Sequence, residues 1–306
     1  MTMRSIQART KVRTRPHGRA RILALVGAGL VVLAAPPAAV AQWLNYPTAG
    51  VPRTADGAPD LRAPAPRAAA GKPDLSGIWT ATETLAECEA GACIEQMRLP
   101  LDAVNIGRTL SVLPAAGSSI EDVALAGGLP LQTWAADLVA RRSAGFAKDD
   151  PHARCLPPNF PRAYALPQYK KIVQTPDLLL ILHEFNASYR QIFTDGRPLP
   201  VDPNPTWNGY SSGRWEGDTL IVESIGFRDD LWLDLSGNPL TEAARVTEKF
   251  ERIDYGNLQV EITVDDPRAY TRPWTVMLKQ SIVLDTELLD EICLENEKSV
   301  QHMDPG

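Results

Sequence analysis

At 306 residues, 44% of them hydrophobic and 22% charged, the chain is long enough for one large domain with an ample core. Its formal charge of −6 hides an asymmetry. The first 41 residues hold seven of the 31 Lys and Arg and no acid, which leaves 24 − 37 = −13 on the rest, a balance that disfavours nucleic acid and anionic membranes as partners.

The basic segment Arg4–Arg21 is followed by the apolar run Ile22–Ala35 and by Ala39-Val40-Ala41 before Gln42. A basic start, a short apolar stretch and an A-x-A site predict a cleavable signal peptide over 1–41, too short for a membrane span. The mature protein is therefore expected to be periplasmic or secreted, with no membrane span of its own. Residues 42–71 are rich in Pro, Ala and Gly and predict an extended, surface-hugging arm containing a short echo, GAPDLRA at 57–63 and GKPDLSG at 71–77.

A single β-rich domain is expected over 72–300, with 301–306 as a tail. Its first strand is DLSGIWTATE, with Trp79 pointing inward. All four cysteines follow the leader, and an even count after a signal peptide suggests two disulfides, Cys88 with Cys93 and Cys155 with Cys293. Residues 94–150 read as a helical insertion. SSIEDVALAG opens with serine caps, and LQTWAADLVARRSAG places Leu131, Trp134 and Leu138 on one apolar face.

From Tyr169 the period becomes two. KIVQT, LLLILHEF, YRQIFTD, YSSGRW, TLIVESIGF, RVTEKFERID, LQVEITVDD, WTVMLKQSIVL and ELLDEICLE are nine strand candidates parted by turns. With the strand of Trp79 they make about ten, an antiparallel meander expected to form a lipocalin-like barrel or, alternatively, a β-sandwich.

Two hairpins carry the candidate chemistry. A three-residue loop at Asn186–Ser188 would oppose Glu184 to Arg190 and His183 to Gln191, leaving a neutral imidazole on an apolar face as a candidate base. A turn at Glu216–Gly217 would oppose Tyr210 to Glu223, a carboxyl with a raised pKa beside a hydroxyl. His183, Glu223, Tyr210 and Arg190 are thus the catalytic candidates. Gln191, Trp207, Arg214, Trp232 and Asp229 are candidates for binding substrate, since tryptophans on interstrand loops often line pockets. Asp229, Asp230 and Asp234 lack the calcium-loop spacing, and a lone His152 makes a poor metal site, so no metal is expected. No nucleophile elbow, phosphate loop, dinucleotide fingerprint or haem motif occurs, and no cofactor is expected.

KPDLSGIW, DPHARCLPPNFPRA, KIVQTPDLLLILHEFN, RQIFTDGRPLP, GRWEGDTLIVES, RVTEKFERID and DDPRAYTRPWTV together resemble a family of secreted bacterial proteins over roughly residues 45–300. The resemblance implies export and transfers no activity. In that family a His-Ser pair follows a Gly-x-Pro, where this chain has Leu240-Thr241. Three functions follow as expectations: a cofactor-independent hydratase, isomerase or lyase acting on an apolar or aromatic compound, a carrier of a small hydrophobic ligand, and a structural envelope protein.

Overall fold

The computed structural model describes residues 46–81 and 129–295, apart from 69, 146, 158, 167, 235 and 236. The expected signal segment, the helix at SSIEDVALAG and the pair Cys88 and Cys93 lie outside the described residues.

Nine strands close a barrel in the order β1-β11-β10-β9-β6-β5-β4-β3-β2. They are β1 (Gly77–Ala81), β2 (Lys170–Gln174), β3 (Leu178–His183), β4 (Tyr189–Phe193), β5 (Tyr210–Glu216), β6 (Thr219–Ile225), β9 (Arg245–Arg252), β10 (Asn257–Asp265) and β11 (Trp274–Val283). The two-residue strands β7 (Leu231–Trp232) and β8 (Pro239–Leu240) pair separately between β6 and β9. The barrel expected from the alternation is present. It departs from a pure meander at one seam, because β4 and β5 run parallel through Ile192–Ser211 and Phe193–Ser212. The long connection 194–209 causes this, since it descends the outside of the wall before β5 starts. ELLDEICLE forms no strand and only bridges Glu291 to Phe185.

Alternation sets what fills the interior. Leu258, Val260, Ile262 and Val264 of β10 are all buried, as are Val246, Glu248, Phe250 and Arg252 of β9. Trp79 points inward from β1, as expected, and donates its Nε1–H to Leu75 O at 3.1 Å. One end of the barrel is closed by the arm. Arg252 stacks 4.9 Å over the Trp79 ring and donates to the carbonyls of Asp74, Ser76 and Tyr255. The other end takes the segment 159–165, whose short helix α2 (Arg162–Ala165) is wholly buried.

Helix α1 (Thr133–Ala144) forms where its periodicity predicts it, but its buried residue is Ala135. Trp134 stays 45% exposed and donates its indole N–H to Arg268 O at 2.7 Å. The apolar stripe expected through Trp134 is thus rotated by one residue. An indole that finds a backbone acceptor at the surface need not enter the core. Cys155 and Cys293 form the predicted disulfide, closing a span of 138 residues.

Candidate functional site

Both hairpin registers differ from the expected ones, and the differences decide where the chemistry lies. In the first, Ile181 opposes Arg190 and Leu182 opposes Tyr189. The loop is 184–188, closed by His183 N–H to Ser188 O at 2.8 Å, with Asn186 and Ala187 at positive φ. Glu184 leaves the strand because its carboxylate accepts from the amides of Tyr169 and Leu289 at 3.0 and 3.1 Å. It therefore makes no ion pair with Arg190. His183 and Arg190 share the interior, while Gln191 faces out and neither opposes the imidazole nor reaches the lumen.

In the second hairpin Gly217 carries φ +60° at the first central position of a two-residue turn, the place a type II′ turn gives to glycine. Glu216 then opposes Thr219, and Ser212, not Tyr210, opposes Glu223. The inward residues of β6 are Leu220, Val222 and Ser224, so Glu223 lies on the outer face. The expected Tyr210–Glu223 couple does not exist. Glu223 accepts from Arg214 Nη1 at 2.9 Å and from Arg245 Nη1 at 2.8 Å, and Tyr210 stacks on Phe193 with ring centres 5.3 Å apart.

The lumen is centred on Arg190. Its guanidinium forks onto Glu248 at 3.0 and 2.5 Å and donates to Tyr164 Oη at 2.6 Å, to Ser224 Oγ at 2.9 Å and to Ser211 Oγ at 3.0 Å. Phe160 lies under it at 3.6 Å. Burial alone would lower its pKa, but the charge of Glu248 and the contact with Tyr164 outweigh that and raise it. Every strong donor of Arg190 is thereby committed to protein. Beyond this cluster, Lys170 Nζ donates to Gln280 Oε1 at 2.8 Å, and Gln280 Nε2 donates to Tyr164 O at 3.0 Å. Burial pushes the Lys170 ammonium down to about 7. Opposite it across β2–β3, His183 stacks on Tyr164 with ring centres 6.0 Å apart. Its imidazole falls to about 3, first through burial and then through the charges of Lys170 and Arg190. The cavity beside Lys170, lined by Trp79, Ile181, Phe250 and Leu258 among others, leaves about 10 Å³ to the centre of a water molecule. That is room for roughly one water.

A larger concavity lies on the outside of the wall. The connection 194–209 and the outer faces of β5, β6 and β9 enclose a groove of about 400 Å³, lined by Arg197, Leu199, Ser212, Arg214, Glu223 and Arg245 among others. Its cations are held in place. Arg197 stacks 4.0 Å over Phe193, forks onto Asp195 and meets the Tyr210 hydroxyl. Arg214 spans Glu216 and Glu223, and Glu223 ties it to Arg245. The hydrogen bonds with Asp195 and Tyr210 raise the Arg197 pKa, and those with Glu223 and Glu216 raise that of Arg214. The Nη2 groups of Arg214 and Arg245 take no carboxylate among the described residues.

The four catalytic candidates thus fall on two sides of the wall, His183 and Arg190 inside, Glu223 and Tyr210 outside. Of the binding candidates only Arg214 lines the groove. Trp207 is half-buried under Arg228 at 4.8 Å, Trp232 is buried under Arg142 at 4.2 Å, and Asp229 pairs with Arg268. These loops brace the structure around β7–β8 and line neither cavity. Leu240 is core, and Thr241 donates to Asp266, so both residues are engaged within the fold. Glu248, Lys170, Tyr164, Arg197 and Arg245 were not among the sequence candidates. Glu248 was the most legible of them, an acid alternating with Val246 and Phe250.

No protein-family model and no curated protein matches the chain. No helix among the described residues is long and apolar enough to cross a membrane.

Proposed function

We propose that the protein is an exported binding protein for a small anionic molecule, which it holds in the groove on the outer face of its barrel. The observation that carries this reading is the contrast in space. The groove has the volume of an ordinary ligand site, whereas the cavity beside Lys170, among the described residues, has room for about one water. Three guanidiniums and Glu223 line it, and although Asp195, Glu216 and Glu223 pair with them, the Nη2 groups of Arg214 and Arg245 take no carboxylate among the described residues. Fixed guanidiniums suit carboxylate, sulfate or phosphate oxygens because their planar fork is already oriented. The apolar ligand expected from the tryptophan count gives way to an anionic one, since Trp207 and Trp232 line neither cavity. Export is supported by the leader sequence and by the Cys155–Cys293 bridge, a bond of oxidising compartments.

Isothermal titration of the mature protein with citrate, benzoate and inorganic phosphate tests the reading. At least one should bind saturably, with affinity falling as salt rises. Arg245→Ala and Arg214→Ala should each weaken that binding about tenfold or more, the scale of one charge-assisted hydrogen bond. If none of the three binds, or if both variants bind like the parent, the groove is not a recognition site.

A further inference from the structure

The arm repeats itself. Pro52–Leu61, PRTADGAPDL, and Pro66–Leu75, PRAAAGKPDL, share the pattern P-R-x-A-x-G-x-P-D-L at an offset of 14 residues. Both fold into the same hook. Thr54 N–H and Ala68 N–H donate to Ala58 O and Lys72 O, each at 2.9 Å, while Asp60 N–H and Asp74 N–H donate to Pro52 O and Pro66 O, each at 2.8 Å. Arg53 and Arg67 each turn an Nη1 back to the carbonyl of the hook's own glycine, Gly57 at 3.0 Å and Gly71 at 3.3 Å. The shared glycines sit at φ +86° and +77°, a conformation that favours this residue, so the hook is written into the repeat.

The two copies differ in what they hold. The second grips the β5–β6 turn. Arg67 forks onto Asp218 at 2.6 and 2.7 Å, Lys72 Nζ donates to Gly217 O at 3.0 Å, and Leu75 is fully buried. Among the described residues the first is fastened by its backbone at the β9–β10 turn, through Gly256 N–H to Leu61 O and Tyr255 N–H to Ala63 O, both at 2.8 Å. Its side chains are left facing solvent. Leu61 is 40% exposed, and Arg53 has no carboxylate partner among the described residues.

The geometry points to the first hook as a docking site for a partner protein that presents an aspartate-bearing β-turn, gripped by Arg53 as Arg67 grips Asp218. The second hook supplies the precedent for the occupant, since a fork onto an Asp in a Gly-Asp turn is what this backbone and this arginine position make in the same molecule. The hook is already closed by its own hydrogen bonds, so little ordering opposes binding. An exposed ion pair is weak alone. The contact is therefore a transient one, in which Leu61 adds apolar area beside the charge.

The test uses the mature protein and a disulfide-closed hairpin peptide carrying the sequence of Arg214–Ile221, followed by titration in two-dimensional NMR. Saturable shifts at residues 52–61 are expected. They should weaken tenfold or more with Arg53→Ala, or when the aspartate of the peptide is replaced by asparagine, and persist with Arg67→Ala. Absence of saturable shifts overturns the proposal. So does binding lost with Arg67→Ala but not with Arg53→Ala, which would show the peptide displacing the internal turn from the second hook. Self-association in light scattering that Arg53→Ala abolishes, without peptide binding, would give the site to a second copy of the chain and also overturn it. Because Arg53 lies on the arm and outside the groove, none of these results depends on the groove binding an anion.

Discussion

Two arginine–glutamate clusters face each other across the same wall, and their contrast explains most of this molecule. Inside, Arg190 and Glu248 are 1% and 0% exposed, and their donors and acceptors are met by Tyr164, Ser211 and Ser224. Outside, Glu223 bridges Arg214 and Arg245 where all three side chains remain a third or more exposed. The chemistry is the same and the surroundings are not. A buried pair is locked because either partner alone would be an uncompensated charge in a medium of low dielectric constant, whereas an exposed pair exchanges freely with water and dissolved anions. The interior cluster is sealed from solvent, and the exterior one, though paired, stays in contact with it.

Breaking each cluster gives the sharpest comparison. Glu248→Gln should cost about 3–5 kcal/mol, the scale of a severed buried pair, read as a lower urea midpoint. Replacing both partners, as in Arg190→Met with Glu248→Leu, should recover much of that loss, because no lone charge then remains buried. A double variant no more stable than Glu248→Gln would show that the hydrogen bonds to Tyr164 and the serines, and not the charge, dominate.

The disulfide comes next. Cys293→Ser with Cys155→Ser should cost about 2–5 kcal/mol, since the bridge closes a long loop in the unfolded chain. Reduction of the parent should lower its melting temperature to match the variant.

The lumen's bases predict a pH dependence that the groove does not share. Lys170 falls from an ordinary 10.5 to about 7 in the folded chain. Between those values the unfolded chain binds the proton that the native state has released, so stability rises with pH from about 7 to 10.5. His183, lowered from 6.5 to about 3, acts in the same direction at lower pH, and stability is lost as pH falls from 6.5 towards 3. Lys170→Met should flatten the alkaline slope and keep most of the acid one, since burial is the larger cause of the His183 shift and the lost Lys170 charge the smaller, as measured by urea midpoints from pH 3 to 10. An unchanged alkaline slope would mean that Lys170 is solvated.

The smallest effect belongs to the outer cluster. Glu223→Gln should change stability by no more than about 1 kcal/mol, as for other exposed pairs. Its signature is tighter anion binding, because two guanidiniums lose their internal carboxylate. A large loss of stability would make the outer cluster structural and erase the contrast with the lumen.

Particular residues show how far the sequence reaches. The period-two runs located eight of the nine barrel strands from Lys170 onward and the strand of Trp79 before them, because one-face burial imposes the alternation directly. The sites were harder to read, because a slip of an odd number of residues exchanges the faces of a strand. The three-residue loop expected at Asn186–Ser188 displaced the pairing by three, and placed Gln191 inside in place of Arg190. In the β5–β6 hairpin the slip was two, which preserves faces but changes partners. Gly217 carried the correction, since a II′ turn wants glycine first. Reading Glu223 as the buried acid overlooked Glu248, which alternates with Val246 and Phe250 and truly shares their face.

What the sequence determined by itself is whatever depends on local pattern: the strands, helix α1, the echo within the arm and the acidic balance of the body. The pairing of Cys155 with Cys293 was also within reach, from an even cysteine count and their spacing. Tertiary structure alone decided that β4 and β5 run parallel, that Arg190 meets Glu248 across 58 residues, and that Arg197, Arg214 and Arg245 converge on one groove. Those arrangements depend on how the sheet closes, and closure is set by the summed packing of all nine strands, not by any window of the chain.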